Sequence, residues 1–273
     1  LKGRLTELFE GQLFYLFYRI IKLFTISKNY DLIISIGDII PVLSAWLTKK
    51  PVVTYLVAYS SHYEGKLRLP WPCSICFSSK RFLAIYSRDQ LTADDLTHQL
   101  GRRVDFVGNP FMDQVLIPKK SHLGSQFRIG VLPGSRIPEL ARNLILILRL
   151  LEALTSTGLI ANPINYYMDL VSDLDDESLK GLALEQGWTT TYGSEDIVTA
   201  LKKDSLEINI CRDSFIQVLQ NSDLIIGMAG TANEQAVGLA KPVIQLVGSG
   251  PQFTTKFAEA QRRLLGPTVF CAQ

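Results

Sequence analysis

The sequence predicts an α/β fold made of two domains, each with a doubly wound parallel sheet. Short apolar runs alternate with helical or turn-like stretches from residue 31 onward, and the alternation restarts after a polar, proline-containing segment near residues 109–126. The runs are continuous, which is typical of parallel strands buried on both faces. We therefore predict two Rossmann-like domains that face a cleft: residues 1–115, a linker over 116–126, and residues 127–273.

The predicted elements follow from hydrophobic periodicity and from turn residues. Strands are predicted over residues 31–36, 52–58, 82–86, 104–107, 127–132, 164–171, 223–228 and 243–247. Helices are predicted over residues 39–47, 137–154 and 231–239, between or after these strands. This order is typical of repeated β-α-β units.

Residues 4–24 form an amphipathic pattern with apolar side chains at three- and four-residue steps. Arg19 and Lys22 interrupt it, so no transmembrane helix is predicted. The stretch is rich in Phe and Tyr. We expect a helix packed on a sheet; the alternative is a membrane-surface helix, with aromatic rings at the interface and basic side chains beside lipid headgroups.

Charge and cysteine usage exclude several classes of protein. There are 28 Lys and Arg against 26 Asp and Glu, a net charge of +2, so no nucleic acid partner is expected. Four cysteines in 273 residues are no disulfide framework, which favours a cytoplasmic location. Cys73 and Cys76 lack the further ligands of a structural zinc site, so we expect no metal there.

Both ends of the sequence fall within structured patterns. The first residue is Leu1, inside a helical pattern, and the last residues follow an apolar run. We expect the first domain to lack its opening strand and the second to lack its final helices.

Residues 132–139 are the first candidate for ligand binding. The turn at Gly134 and Ser135 follows a predicted strand and precedes a long helix, so backbone N–H groups and the helix N-terminus can approach an anion. Arg136 can donate two hydrogen bonds to a phosphate. The alternative is an ordinary strand-to-helix turn with an exposed arginine.

Residues 227–234 are the second candidate, because they also connect a strand to a helix. Small residues, among them Gly230 and Ala232, permit the close approach of a ligand. Thr231 suits an N-cap, and Glu234 three residues later suits a capping box. The functional alternative for Glu234 is a carboxylate that accepts hydrogen bonds from ribose hydroxyls.

Taken together, these motifs resemble the lipid-A-disaccharide synthase family, and most closely its lipid-A-disaccharide-synthase-related branch. The matching segments are residues 106–113, 132–136 with Glu139, 230–234, 240–244 and 250–253. The resemblance implies a GT-B glycosyltransferase that transfers a sugar, of the N-acetylglucosamine type, from a UDP donor to a lipid-linked acceptor with inversion. It implies no metal and no cofactor other than the UDP-sugar substrate.

The resemblance also implies roles for individual residues. The donor diphosphate would contact Gly134, Ser135, Arg136, Gly230, Thr231 and Ala232; Glu234 would bind the ribose, and Gln252 and Phe253 would line the donor pocket. An inverting transfer needs a base for the acceptor hydroxyl. Asp38, which follows a predicted strand, is the candidate base, and its alternative role is to cap the next helix. His62 is the second candidate base, and Glu64 is a weaker one.

Three function classes remain open on the sequence. The first is the glycosyltransferase, with a peripheral position on the inner face of the membrane and a homodimeric state both left open. The second is a UDP-sugar 2-epimerase, which needs no separate acceptor. The third is a non-catalytic protein that binds a nucleotide-sugar.

Overall fold

The chain divides into two units, Leu1–Asn109 and Pro110–Gln273. The computed structural model describes residues 12–37, 39–57, 59–62, 65–69, 71–116, 126–158, 163–194, 197–248 and 254–272. The second unit begins at Pro110, five residues before the predicted end of the first domain at residue 115. None of the helices within the described ranges is long and apolar enough to cross a bilayer.

The first unit contains a four-stranded parallel sheet in the order β1-β2-β3-β4. Its strands are β1 (Ile33–Ile36), β2 (Val52–Tyr55), β3 (Phe82–Ser87) and β4 (Asp105–Phe106). Its helices are α1 (Gln12–Ile26), α2 (Ile39–Leu47), α3 (Cys73–Ser78) and α4 (Gln90–Leu100). The predicted apolar runs become these strands, because their side chains supply the buried core between the sheet and its helices.

Cys73 and Cys76 lie in the core of the first unit, where both thiols are buried. Burial raises the pKa of the Cys76 thiol. A hydrogen bond from the backbone of Cys76 itself and the positive charge of Arg81 oppose this rise. The pair therefore packs as small apolar side chains. Among the described residues, no group of three His, Cys, Asp or Glu side chains is placed to hold a metal ion.

Helix α1 packs against α2 and leaves many apolar side chains in contact with solvent. Phe14 is 77% exposed and Ile21 is 64% exposed. The Arg19 guanidinium lies 5.5 Å from the centre of the Tyr15 ring. Residues 4–11 of the predicted helix lie outside the described residues.

The second unit contains an eight-stranded sheet in the order β12-β11-β10-β5-β6-β9-β8-β7. Its strands are β5 (Phe127–Leu132), β6 (Ile164–Leu170), β7 (Thr189–Tyr192), β8 (Val198–Lys203), β9 (Leu206–Arg212), β10 (Leu224–Gly227), β11 (Val243–Gln245) and β12 (Val269–Cys271). Its helices are α5 (Glu139–Ser156), α6 (Asp176–Glu185), α7 (Phe215–Asn221), α8 (Thr231–Gly238) and α9 (Thr255–Leu265). All pairs from β12 to β9 are parallel, whereas β8 pairs antiparallel with β7 and β9.

Two hydrophobic cores lie on opposite faces of the second sheet. Ile129 and Val131 of β5 share one core with buried leucines of α5. Leu132 shares the other with residues of α7 and α8, such as Ala236. Successive side chains of a strand point to opposite faces, so Val131 and Leu132 enter different cores. Helices therefore cover both faces of this sheet. The predicted fold class, α/β with two Rossmann-like units, is confirmed.

Candidate functional site

The two candidate loops of the second unit follow neighbouring strands. Gly227 at the end of β10 pairs with Leu132 at the end of β5, and the Met228 N–H donates a 2.8 Å hydrogen bond to the Leu132 carbonyl oxygen. From β5 the chain passes to β6 on one side, whereas β10 continues to β11 on the other side. This reversal of strand order is a topological switch point, where ligands bind at the carboxyl ends of strands in open α/β sheets.

The loop after β5 is shaped for a close approach to its backbone. Gly134 has φ +98°, a left-handed conformation that favours glycine. The buried Asn143 side chain of α5 donates a 2.8 Å hydrogen bond to the Pro133 carbonyl oxygen and so fixes the start of the loop. Ser135 and Arg136 are exposed. Helix α5 begins at Glu139, and its N-cap residue Pro138 supplies no side-chain cap.

The loop after β10 leads directly into the N-terminus of α8. The N-cap is Gly230, and no side chain caps the helix. The predicted N-cap role of Thr231 and the capping box with Glu234 are therefore wrong, because the helix begins at Thr231, one residue earlier than a Thr231 cap requires. Thr231 is exposed, and Ala232 and Glu234 are half-buried.

The two loops thus bring together seven of the predicted ligand contacts at one edge of one sheet. These residues are Gly134, Ser135, Arg136, Gly230, Thr231, Ala232 and Glu234. The first turns of α5 and α8 lie at this edge, and the N-terminus of a helix carries a partial positive charge. An anion bound there would meet backbone N–H groups of both loops and the guanidinium of Arg136.

A carboxyl group that was not among the predicted site residues lies on the next strand. Asp169 of β6 is half-buried and accepts a 3.2 Å hydrogen bond from the Ser214 N–H. Burial, helped by the charge of Asp213, raises the pKa of Asp169 to about 6 even though the Ser214 hydrogen bond lowers it. The only signal in the sequence is an acidic residue near the end of a largely apolar strand.

His62 belongs to the first unit, in the segment after β2. Its Nε2 atom lies 3.7 Å from Oδ1 of Asp89, the N-cap residue of α4. Asp89 is fixed in turn by hydrogen bonds of 2.8 Å from the Thr92 N–H and from the Ser60 hydroxyl. The imidazole therefore lies beside this carboxylate at the N-terminus of α4.

The remaining site predictions concern residues that the structure does not describe. Asp38, Glu64, Gln252 and Phe253 lie outside the described residues. Their roles as bases or as donor-pocket residues stay predictions.

Sequence comparison finds no relative: no protein-family profile and no curated protein matches this chain. Structure comparison does find similar folds. The UDP-GlcNAc 2-epimerase of Methanocaldococcus jannaschii, crystallised with UDP-GlcNAc and UDP, matches over 93% of this chain and 68% of its own, with a TM-score of 0.51 and 15% identity. MnaA of S. aureus, solved with UDP, matches over 92% and 72%, with a TM-score of 0.53 and 14% identity.

A third match is a putative UDP-N-acetylglucosamine 2-epimerase from Listeria monocytogenes. It covers 91% of this chain and 70% of its own, with a TM-score of 0.50 and 15% identity. The fold is GT-B. At these identities the likeness establishes the fold alone, and it does not support the resemblance to the lipid-A-disaccharide synthase family.

Proposed function

We propose that this chain binds a UDP-sugar at the switch point of its second unit and belongs to an enzyme that acts on that UDP-sugar. One observation carries the proposal: two glycine-containing loops on adjacent strands each lead into a helix without a side-chain cap, beside an exposed arginine. This combination suits a diphosphate, which needs several N–H donors and a positive charge.

The residues of the two loops have distinct parts in this proposal. Gly134 lets the backbone approach the diphosphate, and Arg136 donates hydrogen bonds to its oxygens. The first turn of α8, at Thr231 and Ala232, contributes N–H groups. Glu234, one turn into α8, accepts hydrogen bonds from the ribose. The role of Gln252 and Phe253 in lining the donor pocket comes from the family resemblance alone, and both residues lie outside the described ranges.

The reaction favoured by the comparisons is epimerisation at C2 of a UDP-N-acetylhexosamine. Of the three matched structures described above, one is named a UDP-GlcNAc 2-epimerase, one carries that name as putative, and MnaA was solved with UDP. An epimerase must remove and return a proton, so it needs groups that gain and lose protons near neutral pH. Asp169, with a pKa of about 6, is such a group on the carboxyl edge of the second sheet.

The second candidate reaction is transfer of the sugar to a lipid-linked acceptor, with Asp38 or His62 as the base. The motifs at residues 132–136 and 230–234 favour it. The exposed aromatic face of α1, with Arg19 and Lys22 on the same helix, suits an acceptor presented at a membrane surface. A cytoplasmic enzyme on the inner face of the membrane would fit this reaction.

Product analysis distinguishes these reactions. The full chain is incubated with UDP-N-acetylglucosamine labelled in the sugar, with and without lipid extract, and the products are separated. A labelled C2 epimer indicates the epimerase, and label in the lipid fraction together with free UDP indicates the transferase. The Arg136→Ala variant is the control and should lose either product. The proposal would be contradicted if the UDP-N-acetylglucosamine is recovered unchanged and also shows no binding to the chain.

A further inference from the structure

Asn233, in the first turn of α8, is fully buried, and neither its Oδ1 nor its Nδ2 atom has a hydrogen-bond partner. Its amide lies directly over Gly227, the last residue of β10. A Cβ atom on Gly227 would overlap the amide oxygen, so only glycine permits this approach. The buried amide is therefore packed against the start of the loop that precedes α8.

Two further buried amides border the same loop. Gln245 of β11 pairs in register with Gly227, so its side chain points to the face of the sheet on which Asn233 lies. Gln261 of α9 has its Nε2 atom 3.6 Å from the position that a Cβ atom of Gly230 would occupy. The Oε1 atoms of both glutamines are buried without a partner. We call Asn233, Gln245 and Gln261 the amide cluster.

The unpartnered polar atoms of the amide cluster lower the stability of the folded chain. A buried polar group without a partner costs about 1–3 kcal/mol, and an apolar side chain of similar shape avoids that cost. The surroundings of α8 would accept one, because Leu132, Ile225 and Ala236 form an apolar core on this face. Buried polar groups that lack partners need an explanation outside packing.

We infer that Asn233 is a positioning residue for the proposed UDP-sugar site, and this inference rests on that proposed function. The cluster surrounds residues 227–230, whose backbone leads into the N–H groups of α8. When a diphosphate binds, the backbone of residues 227–230 moves toward α8. Its N–H and carbonyl groups then come within hydrogen-bonding distance of the amide cluster. The amides, which have no protein partner in the folded chain, then gain hydrogen bonds, and this gain contributes to ligand affinity.

Replacing Asn233 by an apolar residue should make the folded chain more stable but should weaken UDP binding. Asn233→Leu removes two unpartnered polar atoms, so the Tm of the unliganded chain should rise, while the Kd for UDP should increase at least tenfold. If Asn233 only supports the fold, the Kd for UDP should stay unchanged, whatever the change in Tm. Gln261→Met, which removes one unpartnered oxygen, should weaken UDP binding in the same direction.

The matched control is Thr54→Val in β2 of the first unit. Thr54 is also fully buried with an unpartnered side-chain oxygen, so Thr54→Val should raise the Tm and leave the Kd for UDP unchanged. Titration calorimetry with UDP on all variants, beside Arg136→Ala, completes the test. If Arg136→Ala weakens UDP binding but Asn233→Leu and Gln261→Met do not, the inference is overturned and the proposed function stands. If the wild-type chain does not bind UDP, both fail.

Discussion

The Gln235 side-chain amide donates a 2.6 Å hydrogen bond to the Phe111 carbonyl oxygen and thereby joins α8 to residues 110–116. The same segment is held at its other end by Gln220, whose amide donates a 2.8 Å hydrogen bond to the Val115 carbonyl oxygen. The Val115 side chain is buried in the core beneath α7 and α8. The motif that begins at residue 106 thus runs into the unit that carries the proposed UDP-sugar site.

Replacing Gln235 should weaken this attachment. Gln235→Met keeps the approximate shape but removes the donor, so the free energy of unfolding should fall by about 1 kcal/mol. Urea denaturation followed by circular dichroism measures the change. The control is Gln90→Met, which removes a hydrogen bond from the exposed Gln90 amide to Asp94 and should cost less than about 0.5 kcal/mol. Equal effects of the two substitutions would show that the Phe111 bond does not hold the segment.

The contact between Gly227 and Asn233 predicts a coupled pair of substitutions. Gly227→Ala places a methyl group against the Asn233 amide and should lower stability by about 1–3 kcal/mol. Asn233→Ala removes the clashing atoms, so the double variant should be more stable than the sum of the single effects predicts. A double-mutant cycle of unfolding free energies measures this coupling. Strictly additive effects would mean that the two residues do not meet in the folded chain.

The raised pKa of Asp169 predicts a pH-dependent stability. The carboxyl has a pKa of about 6 in the folded chain against an ordinary value of 3.8, so folding favours its protonated form. This contribution is complete below pH 3.8 and is lost as the pH rises through 6. Asp169→Asn should therefore stabilise the chain at pH 7 by on the order of 1 kcal/mol, since solvent screens a half-buried carboxylate, and should flatten the stability profile between pH 4 and 6.

The control for Asp169 is Asp173→Asn, which changes an exposed carboxylate near the end of the same strand. Thermal unfolding between pH 4 and 8 compares the two variants with the wild-type chain. A profile for Asp169→Asn that parallels the wild-type profile would assign the pH dependence to another group.

Asp95 of α4 predicts the opposite pH behaviour in the first unit. Burial opposes ionisation of Asp95, but hydrogen bonds from Gln99, the Leu67 N–H and the Ser61 hydroxyl together lower its pKa below 3.8. Its stabilising contribution is present above pH 3.8 and is lost as the pH falls through the lowered value. Asp95→Asn should cost about 1–2 kcal/mol at pH 7, because an amide accepts fewer hydrogen bonds. Unfolding at pH 7 and pH 3 measures the difference, which should narrow at pH 3; a constant difference would contradict this explanation.

The strands with continuous apolar runs could be predicted from the sequence because burial on both faces leaves a clear pattern. Residues 127–132 become β5 with the predicted bounds. Strands β7 to β9 were missed, because β7 consists of largely exposed threonines and a tyrosine and because apolar and polar residues mix in β9. The second sheet was predicted to be parallel throughout, but β8 pairs antiparallel with both β7 and β9 at one edge. β12, of three residues, was too short for its pattern to stand out.

The candidate site was predictable as two separate motifs, but only the resemblance implied that both contact one diphosphate; the spacing of the residues did not show that they meet. Their proximity depends on the pairing of Gly227 with Leu132, and strand order is set by the packing of the whole sheet. The amide cluster was not predictable either, because Gln245 and Gln261 lie outside both motifs and approach the loop only when β11 and α9 pack beside it.

Binding of UDP to the wild-type chain and to Glu234→Gln tests the central claim most directly. A ligand that binds only the folded chain stabilises it by about 2.7 kcal/mol at a concentration of 100 times its Kd. We expect UDP and UDP-N-acetylglucosamine to raise the Tm, NAD to have no effect, and Glu234→Gln to weaken UDP binding by on the order of 1–3 kcal/mol. A cooperative unfolding transition that neither UDP ligand shifts would contradict a UDP-sugar site in this chain.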